Sequence, residues 1–275
     1  MKTFLMCLMM LFFSEGIIHA QKFHKVWESS SEILKTPESV LYDEDRDVIF
    51  VSNINGEPME KDGNGFISIL NHDGSVKTLN WVEGLNAPKG MAIYRGILYV
   101  ADIDKLVAID IGKEKVVKRY PAPGAVFLND VAASKDGMIF VSDTRTAKIY
   151  ALKNGKFNVW LESKTFENPN GLLTDDNQLY VGDNNIYKVD IPTKKIVTVI
   201  KDAGGVDGLE KNDEGDFVYS NWPGKIWINK KGKNIKLHDS TEQKVNTADI
   251  DYVSKYNLVL VPTFYDNRVI AYRIE

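Results

Sequence analysis

The 275-residue sequence has a single cysteine, Cys7, and only four histidines. One cysteine cannot form an intramolecular disulfide, so the class of small disulfide-rich secreted domains is excluded. Zinc sites are built mainly from cysteine and histidine, and the shortage of both argues against zinc. With 34 Lys and Arg against 38 Asp and Glu, the net charge is −4, which argues against a nucleic-acid partner. The phosphate-binding pattern G-x-x-x-x-G-K-[ST] is also missing, so we expect no nucleotide cofactor.

No apolar run reaches the length of about 20 residues that a membrane-spanning helix needs. The longest run covers residues 4–13 and follows Lys2. A positive charge before a short apolar run is typical of a secretory signal peptide, so we predict one over residues 1–20, with cleavage after Ala20. An uncleaved membrane anchor is the alternative. With cleavage, the mature chain, residues 21–275, is secreted or periplasmic, has no cysteine and does not contact a membrane.

Most of the sequence repeats one pattern. A polar residue, usually followed by Gly, Asp or Ser, opens a first apolar strand, and a second strand follows with sequences such as IFVSN, LYVAD and LYVGD. The first strands open at six positions, spaced by 51, 40, 41, 37 and 41 residues, which are Glu38, Lys89, Asn129, Asn170, Asp207 and Ala248. These strand segments are short, rich in β-branched and aromatic residues, and bounded by Asn, Asp and Gly turns. Two further strand segments follow in most units.

Four strands in each unit of roughly 40 residues predict a blade of a β-propeller. The sequence therefore predicts an all-β fold: one six-bladed propeller domain of four-stranded antiparallel blades over residues 21–275. The last unit has only three strand segments, whereas residues 23–28 (FHKVWE) form an additional strand before the first unit. We predict that this N-terminal strand completes the last blade, because closing the ring hides strand edges that would otherwise pair with other chains. We expect a monomer.

The six opening positions form a ring around the mouth of the central channel, since antiparallel pairing brings the start of every first strand to the same face. Glu38, Asn129, Asn170 and Asp207 supply hard oxygen ligands, which suit calcium, magnesium or manganese. Three histidines remain outside the signal segment, His24, His72 and His238. None of them is in the ring, which argues against a Ser-His-Asp site.

One ring residue, Lys89, and one nearby loop each have two possible interpretations. Lys89 could neutralise Glu38 or Asp207 with no metal present, or it could bind an anionic group of a substrate. The loop over residues 53–65 is about ten residues longer than its counterparts, and long loops beside a site often act as lids. It could equally be a harmless surface insertion, because loops tolerate insertions.

The repeat segments resemble the regucalcin/gluconolactonase family, also called the senescence marker protein family. The segments that carry the resemblance are PESVLYDE (37–44), FLNDVAASKDGMIFVSDT (127–144), NPNGLLTDDNQLYVGDN (168–184) and VDGLEKNDEGDFVYSN (206–221). This resemblance implies a six-bladed propeller with one divalent cation on Glu38, Asn170 and Asp207, and with Asn129 and Asp130 contacting the substrate. NHL-type and strictosidine-synthase-like propellers share much of this repeat. The chain departs from the lactone-binding pattern at Phe127, where an Arg is common, and at Lys89.

With the resemblance included, we expect an exported, divalent-metal-dependent hydrolase that acts on a small lactone or related ester. The cation would polarise the carbonyl and activate water. Asp207 would be both a ligand and the candidate base, and Asn129 would orient the substrate. Arg145, Trp222 and Tyr265, on loops of the same face, are further candidate substrate contacts. The alternative is a non-catalytic propeller that binds a glycan, peptide or protein ligand, since one fold supports many functions.

Overall fold

The structure, a computed structural model, describes residues 23–275. These residues form a six-bladed β-propeller in which every blade is a four-stranded antiparallel sheet. The chain starts with β1 (Phe23–Glu28). Blade 1 follows with β2 (Pro37–Asp43), β3 (Val48–Asn53), β4 (Gly65–Asn71) and β5 (Val76–Leu85). Blade 2 contains β6 (Pro88–Tyr94), β7 (Ile97–Asp102), β8 (Lys105–Asp110) and β9 (Lys115–Pro121).

Blades 3 to 6 repeat this arrangement. Blade 3 contains β10 (Leu128–Ala133), β11 (Ile139–Asp143), β12 (Lys148–Lys153) and β13 (Lys156–Glu162). Blade 4 contains β14 (Leu172–Asp175), β15 (Gln178–Gly182), β16 (Ile186–Asp190) and β17 (Ile196–Ile200). Blade 5 contains β18 (Leu209–Lys211), β19 (Phe217–Asn221), β20 (Lys225–Lys230) and β21 (Lys233–Asp239). Blade 6 contains β22 (Asp251–Val253), β23 (Leu258–Pro262) and β24 (Val269–Ile274), with short 3-10 helices at Ser254–Tyr256 and Phe264–Asp266.

The N-terminal strand closes the ring, as the sequence predicts. β1 pairs antiparallel with β24, from Phe23 opposite Ile274 to Glu28 opposite Ile270. The rings of Phe23 and Tyr272 stack with their centroids 4.5 Å apart. Blade 6 therefore combines the two ends of the described chain, and its outer strand comes from the N-terminal side.

Hydrophobic residues between neighbouring blades form the core. Phe50 and Ile67 of blade 1, for example, share one buried cluster with Leu98 and Val107 of blade 2. The first strand of each blade contacts those of the next and previous blades, and β2 contacts β22, so the innermost strands line a closed central channel. Alternation of side chains along each strand then places apolar residues against both neighbouring blades.

The side chains at the ends of the second strands fasten the loops at the channel mouth. Asp143 accepts hydrogen bonds from the backbone N–H groups of Val126 and Phe127, at 2.9 and 3.1 Å. The buried residues Asp102 and Asp183 bind the equivalent loops of blades 2 and 4. These residues therefore hold the loops that carry the first strands into the ring.

The predicted signal peptide, residues 1–20, lies outside the described residues. Within residues 23–275, no helix has the length and apolar character needed to cross a membrane.

Candidate functional site

A cavity of about 570 Å³ opens at the channel mouth. Five of the ring residues line it: Glu38, Lys89, Asn129, Asn170 and Asp207. The loop residues predicted as substrate contacts, Arg145, Trp222 and Tyr265, line it as well. The structure thus brings these eight residues together in one cavity, whereas Asp130 is not among the lining residues.

Neighbouring first strands approach each other closely where the ring residues lie. Gly171 follows Asn170, and a Cβ atom at Gly171 would lie 2.3 Å from the backbone carbonyl oxygen of Asp207. Glycines at this position therefore allow the strands of blades 4 and 5 to converge, and Asn-Gly here is part of the channel wall and not a turn. Convergence brings the Asn170 and Asp207 side chains into contact.

Glu38, Asn170 and Asp207 form what we call the floor of the cavity. Of these three residues, Glu38 has a side-chain oxygen without a hydrogen-bond partner. It is 5% exposed, and its Oε2 atom is buried with no hydrogen-bond partner. Burial raises the pKa of Glu38 well above its usual range, and the nearby charge of Asp207 raises it further. A buried carboxylate oxygen without a partner is costly, so either protonation of Glu38 or a bound cation would stabilise this group.

Asn170 and Asp207 form the second half of the floor. The Asn170 Nδ2 atom donates to Asp207 Oδ1 at 2.6 Å. Burial raises the pKa of Asp207 to about 7, although the Asn170 hydrogen bond opposes this shift. Asp207 and Glu38 interact electrostatically across the floor, and both face the same cavity.

Lys89 is 1% exposed and does not pair with either carboxylate. Its Nζ atom donates to the backbone carbonyls of Pro58 and Ala87, at 2.8 and 2.9 Å, and lies 4.7 Å from the Phe127 ring centroid. Among residues 23–275, no ion pair within 4.0 Å involves Lys89. Burial lowers the pKa of Lys89 to about 8, while the charge of Glu38 opposes the shift. Lys89 is therefore a nearby positive charge, not a contact partner of the carboxylates.

The long loop of blade 1 forms one wall of the cavity. Glu57, Pro58 and Met59 line the cavity. The loop length predicts a possible lid, but nothing in the sequence points to these three residues. Besides the Lys89 contact, the Lys61 ammonium pairs with Asp104 of blade 2 at 2.5 Å. The loop is thus attached to blade 2 at two points.

Asn129 and its neighbour Asp130 differ in position. The Asn129 Nδ2 atom donates to Thr144 Oγ1 at 3.3 Å, and Asn129 faces the cavity. Asp130 instead accepts backbone N–H groups of Val131 and Leu172, at 2.6 and 2.5 Å, which ties blade 3 to blade 4. Burial raises the pKa of Asp130 to about 7. Its carboxyl group is thus committed to the channel wall.

Further carboxyl groups, which the repeat pattern does not predict, belong to the innermost strands and the segments next to them. Ser39 Oγ donates to Asp249 Oδ2 at 2.6 Å, and the Tyr42 N–H donates to Asp251 Oδ2 at 2.6 Å. Burial raises the pKa of Asp251 to about 6 and those of Asp249 and Glu210 well above their usual range. Within the described chain, these groups join Glu38, Asp130 and Asp207 in a set of mutually repelling acids around the channel.

Three aromatic residues of blades 5 and 6 form another wall of the cavity. The Trp222 and Phe264 rings meet edge to face with centroids 5.5 Å apart, and Phe264 and Tyr265 do so at 4.7 Å. Trp222 is 41% exposed and Tyr265 is 54% exposed, whereas Phe264 is buried with Ile54 and Ala248. Phe264 has no signal in the repeat, because it lies in the connection between β23 and β24, outside the repeated strands.

Arg145, on the β11–β12 loop, supplies a second positive charge at the cavity. Asp143 accepts its backbone N–H at 3.2 Å, and the guanidinium carbon lies 5.9 Å from the Phe127 ring centroid. No hydrogen bond or ion pair engages the guanidinium within residues 23–275. This cation is thus available to a ligand.

The donor set bears on whether a metal could bind. In the part of the chain that the structure describes, no group of three or more His, Cys, Asp and Glu side chains is arranged to hold a metal ion. The floor instead offers two carboxylates and one amide, from Glu38, Asp207 and Asn170. Such an oxygen set fits a hard divalent cation whose coordination is completed by water. The unpartnered Oε2 atom of Glu38 fits this assignment.

Solved structures of known proteins share the fold. A catalytically inactive variant of virginiamycin B lyase from Staphylococcus aureus, with quinupristin, is 12% identical with a TM-score of 0.64, covering 92% of this chain and 99% of that chain. A streptogramin B lyase is 11% identical with a TM-score of 0.67 and coverages of 93% and 98%. The WD40 propeller domain of Doa1 is 15% identical with a TM-score of 0.62 and coverages of 85% and 77%.

At these identities the likeness shows the fold alone. The chain is a six-bladed β-propeller that resembles the virginiamycin B lyase propeller. No protein-family model matches the sequence, and the search of curated proteins found no match, so the resemblance to the regucalcin/gluconolactonase family stays a prediction.

Proposed function

We propose that the protein opens a lactone or related ester bond of a small molecule, with a divalent cation held by Glu38, Asn170 and Asp207. The observation that carries this proposal is the Glu38 Oε2 atom, which is buried at the cavity floor without a partner. Asp207, the second carboxylate of the cavity floor, raises the cost of that charge. A cation between them would offset both the desolvation of the carboxylates and their repulsion.

The three proposed ligands differ in whether a side-chain oxygen is free to bind a cation. Glu38 has a free oxygen, whereas Asn170 directs its amide nitrogen to Asp207. A flip of the Asn170 amide by about 180° would exchange its nitrogen and oxygen and present the oxygen to a cation with little change in shape. Calcium, magnesium and manganese all accept such oxygen ligands. When bound, the cation supplies Lewis acidity that polarises an ester carbonyl.

The chain's own residues would carry out the remaining steps. The Asn129 amide lines the cavity and would orient the substrate carbonyl. Asp207 would accept a proton from the attacking water, whose oxygen adds to the acyl carbon. The acyl carbon–oxygen bond would then break, and Asp207 would return the proton to the departing alkoxide, leaving a hydroxy acid from a lactone or an acid and an alcohol from an open ester. Lys89 and Arg145 would favour the negative charge that develops on the substrate.

Two proteins that share the fold are named as enzymes, virginiamycin B lyase and streptogramin B lyase, so the architecture is compatible with catalysis. The described histidines of this chain lie away from the cavity: His24 is on β1, His238 is on β21 and His72 follows β4. An oxygen-based site is therefore the one that the cavity residues support. It also agrees with the ligands that the sequence resemblance implies.

Thermal unfolding tests the cation site directly. The protein is melted in EDTA and then with calcium, magnesium or manganese. A ligand at a hundredfold excess over its Kd adds about 2.7 kcal/mol, which raises the Tm of a protein of this size by roughly 5 °C or more. Glu38→Gln and Asp207→Asn should abolish this rise. Glu57→Gln is the matched control, because Glu57 also lines the cavity but is exposed.

A screen of lactones and esters then tests the chemistry. Hydrolysis should require the cation that raises the Tm and should be lost in Asp207→Asn. Absence of a Tm rise with all three ions would overturn the cation site, and hydrolysis that survives both floor substitutions would place the activity elsewhere.

A non-catalytic binding module is the second candidate, favoured by the position of Lys89. Its ammonium places a positive charge near Glu38 without blocking the cavity. In that case ligands would bind in EDTA, no lactone would be turned over, and Glu38→Gln would leave ligand affinity unchanged.

A further inference from the structure

The two sides of the cavity differ in chemistry. Lys89 and Arg145 come from blades 2 and 3, and Phe264 and Tyr265 come from the β23–β24 loop of blade 6. In the closed ring, blades 3 and 6 are opposite each other. A positively charged side therefore faces an aromatic side across the carboxylate floor.

The charged side is held in place. Both cations lie near the Phe127 ring, with Lys89 Nζ at 4.7 Å and the Arg145 guanidinium carbon at 5.9 Å from its centroid. Asp143 binds the backbone N–H groups of both Phe127 and Arg145. Lys89 uses two hydrogens on carbonyls, whereas the Arg145 guanidinium has no polar partner within residues 23–275. Arg145 is thus the cation best able to bind an anionic group of a ligand.

The aromatic side is also a built surface. Phe264 has φ of +51°, a left-handed conformation that is strained for a bulky residue. Thr263 and Arg268 hold this turn, since the Arg268 N–H donates to Thr263 Oγ1 at 2.9 Å and the Thr263 N–H donates to the Arg268 carbonyl at 2.8 Å. The strained turn buries Phe264 beneath Trp222 and Tyr265, which stay 41% and 54% exposed. Large exposed aromatic faces at a cavity favour a flat apolar ligand group.

We propose that the substrate is an amphipathic small molecule, with an anionic group bound by Arg145 and a flat apolar group on Trp222 and Tyr265. This inference deepens the proposed function and rests on it, because the ester to be opened lies between the two groups, above Glu38 and Asp207. It excludes small polyhydroxylated lactones as the preferred substrates, since these offer neither an anion nor an apolar face. The cavity of about 570 Å³ is large enough for such a molecule.

Three matched probes separate the two contributions without requiring turnover. Phenylbutyrate carries both groups, butyrate carries only the anion, and phenylbutanol carries only the aromatic ring. Isothermal titration on EDTA-treated protein should give phenylbutyrate affinity about fivefold or more above either partial probe.

The variants assign each contribution to a side chain. Arg145→Gln should weaken phenylbutyrate and butyrate by about threefold to tenfold and leave phenylbutanol unchanged. Tyr265→Ser and Trp222→Leu should weaken phenylbutyrate and phenylbutanol by about fivefold and leave butyrate unchanged. Arg273→Gln is the control, because Arg273 is exposed on β24 and does not line the cavity. Unchanged Tm values verify that the variants are folded.

The outcomes keep the two proposals distinct. Equal affinities for the three probes, or probe binding that ignores Arg145→Gln and Tyr265→Ser, would overturn the amphipathic substrate even if a cation raises the Tm. Probe preferences without any cation effect would support the amphipathic ligand and contradict the proposed metal-dependent reaction.

Discussion

The Lys89 ammonium donates to the Pro58 carbonyl at 2.8 Å, which joins the innermost strand of blade 2 to the long loop of blade 1. This loop forms a wall of the cavity through Glu57, Pro58 and Met59. Lys89 therefore does two things at once. It keeps the loop against the cavity, and it places a positive charge near the Glu38 carboxylate.

Lys89→Met should release the loop. Methionine fills the same space but leaves the Pro58 and Ala87 carbonyls without their buried donor. We expect the Glu60 amide, which donates to the Glu57 carbonyl, to exchange with solvent deuterium about tenfold faster. Lys61→Met is the comparison, since the Lys61 side chain is 53% exposed and its ion pair with Asp104 should contribute less. Equal exchange rates in both variants and the wild type would contradict the tether.

The acids around the channel predict an unusual dependence of stability on pH. Burial raises the pKa of Asp130 and Asp207 to about 7 and that of Asp251 to about 6, whereas in the unfolded chain such groups titrate near 4. Between those values the folded protein binds more protons than the unfolded chain, so its stability falls as the pH rises. In EDTA, the Tm should therefore decrease from pH 5 to pH 8.

Two comparisons check the cause of that decrease. Asp251→Asn removes one carboxyl group with a raised pKa but keeps an oxygen that can accept the Tyr42 N–H. The Tm of this variant should therefore fall less steeply with pH. A saturating divalent cation should also flatten the curve, because it stabilises the ionised floor. A Tm in EDTA that rises throughout pH 5 to 8 would contradict the burial of these acids.

The sequence predicted the propeller because its evidence is periodic. Strand alternation, turn residues and the spacing of the ring positions are all local, and the orphan strand 23–28 indicated the closure that β1 and β24 form. The ring residues lining the cavity could be predicted for the same reason. Phe264 and Met59 could not, because the connections that carry them are outside the repeated strands and their positions depend on contacts across blades.

The sequence could not predict which of two adjacent polar residues faces the cavity. Asn129 and Asp130 are adjacent in sequence, yet one faces the cavity and the other binds the backbone of blade 4. Successive strand residues point in opposite directions, and which of two polar neighbours faces the mouth depends on a local register shift between Leu128 and Val131.

Gly90→Ala should destabilise the channel wall. A Cβ atom at Gly90 would lie 2.3 Å from Asp130 Oδ1 and 2.5 Å from the Asp130 Cα, so both a side chain and backbone would have to move. We expect a loss of about 1–3 kcal/mol in the free energy of unfolding, measured by urea denaturation. Gly112→Ala is the control, because the nearest atom to its Cβ position is 3.6 Å away. An unchanged free energy of unfolding in Gly90→Ala would show that the innermost strands are less closely packed than the distances indicate.

Asp143→Asn should loosen the charged side of the cavity at its base. The Asp143 carboxylate accepts four backbone N–H groups, from Val126, Phe127, Arg145 and Thr146. An asparagine presents one oxygen and one amide donor in the same space, so the N–H groups facing the amide lose their acceptor. We expect a loss of about 2–4 kcal/mol in the free energy of unfolding and weaker butyrate binding through displacement of Arg145. Asp176→Asn, whose side chain is 76% exposed, should change neither quantity. Loss of stability without loss of butyrate binding would show that Arg145 is positioned independently of Asp143.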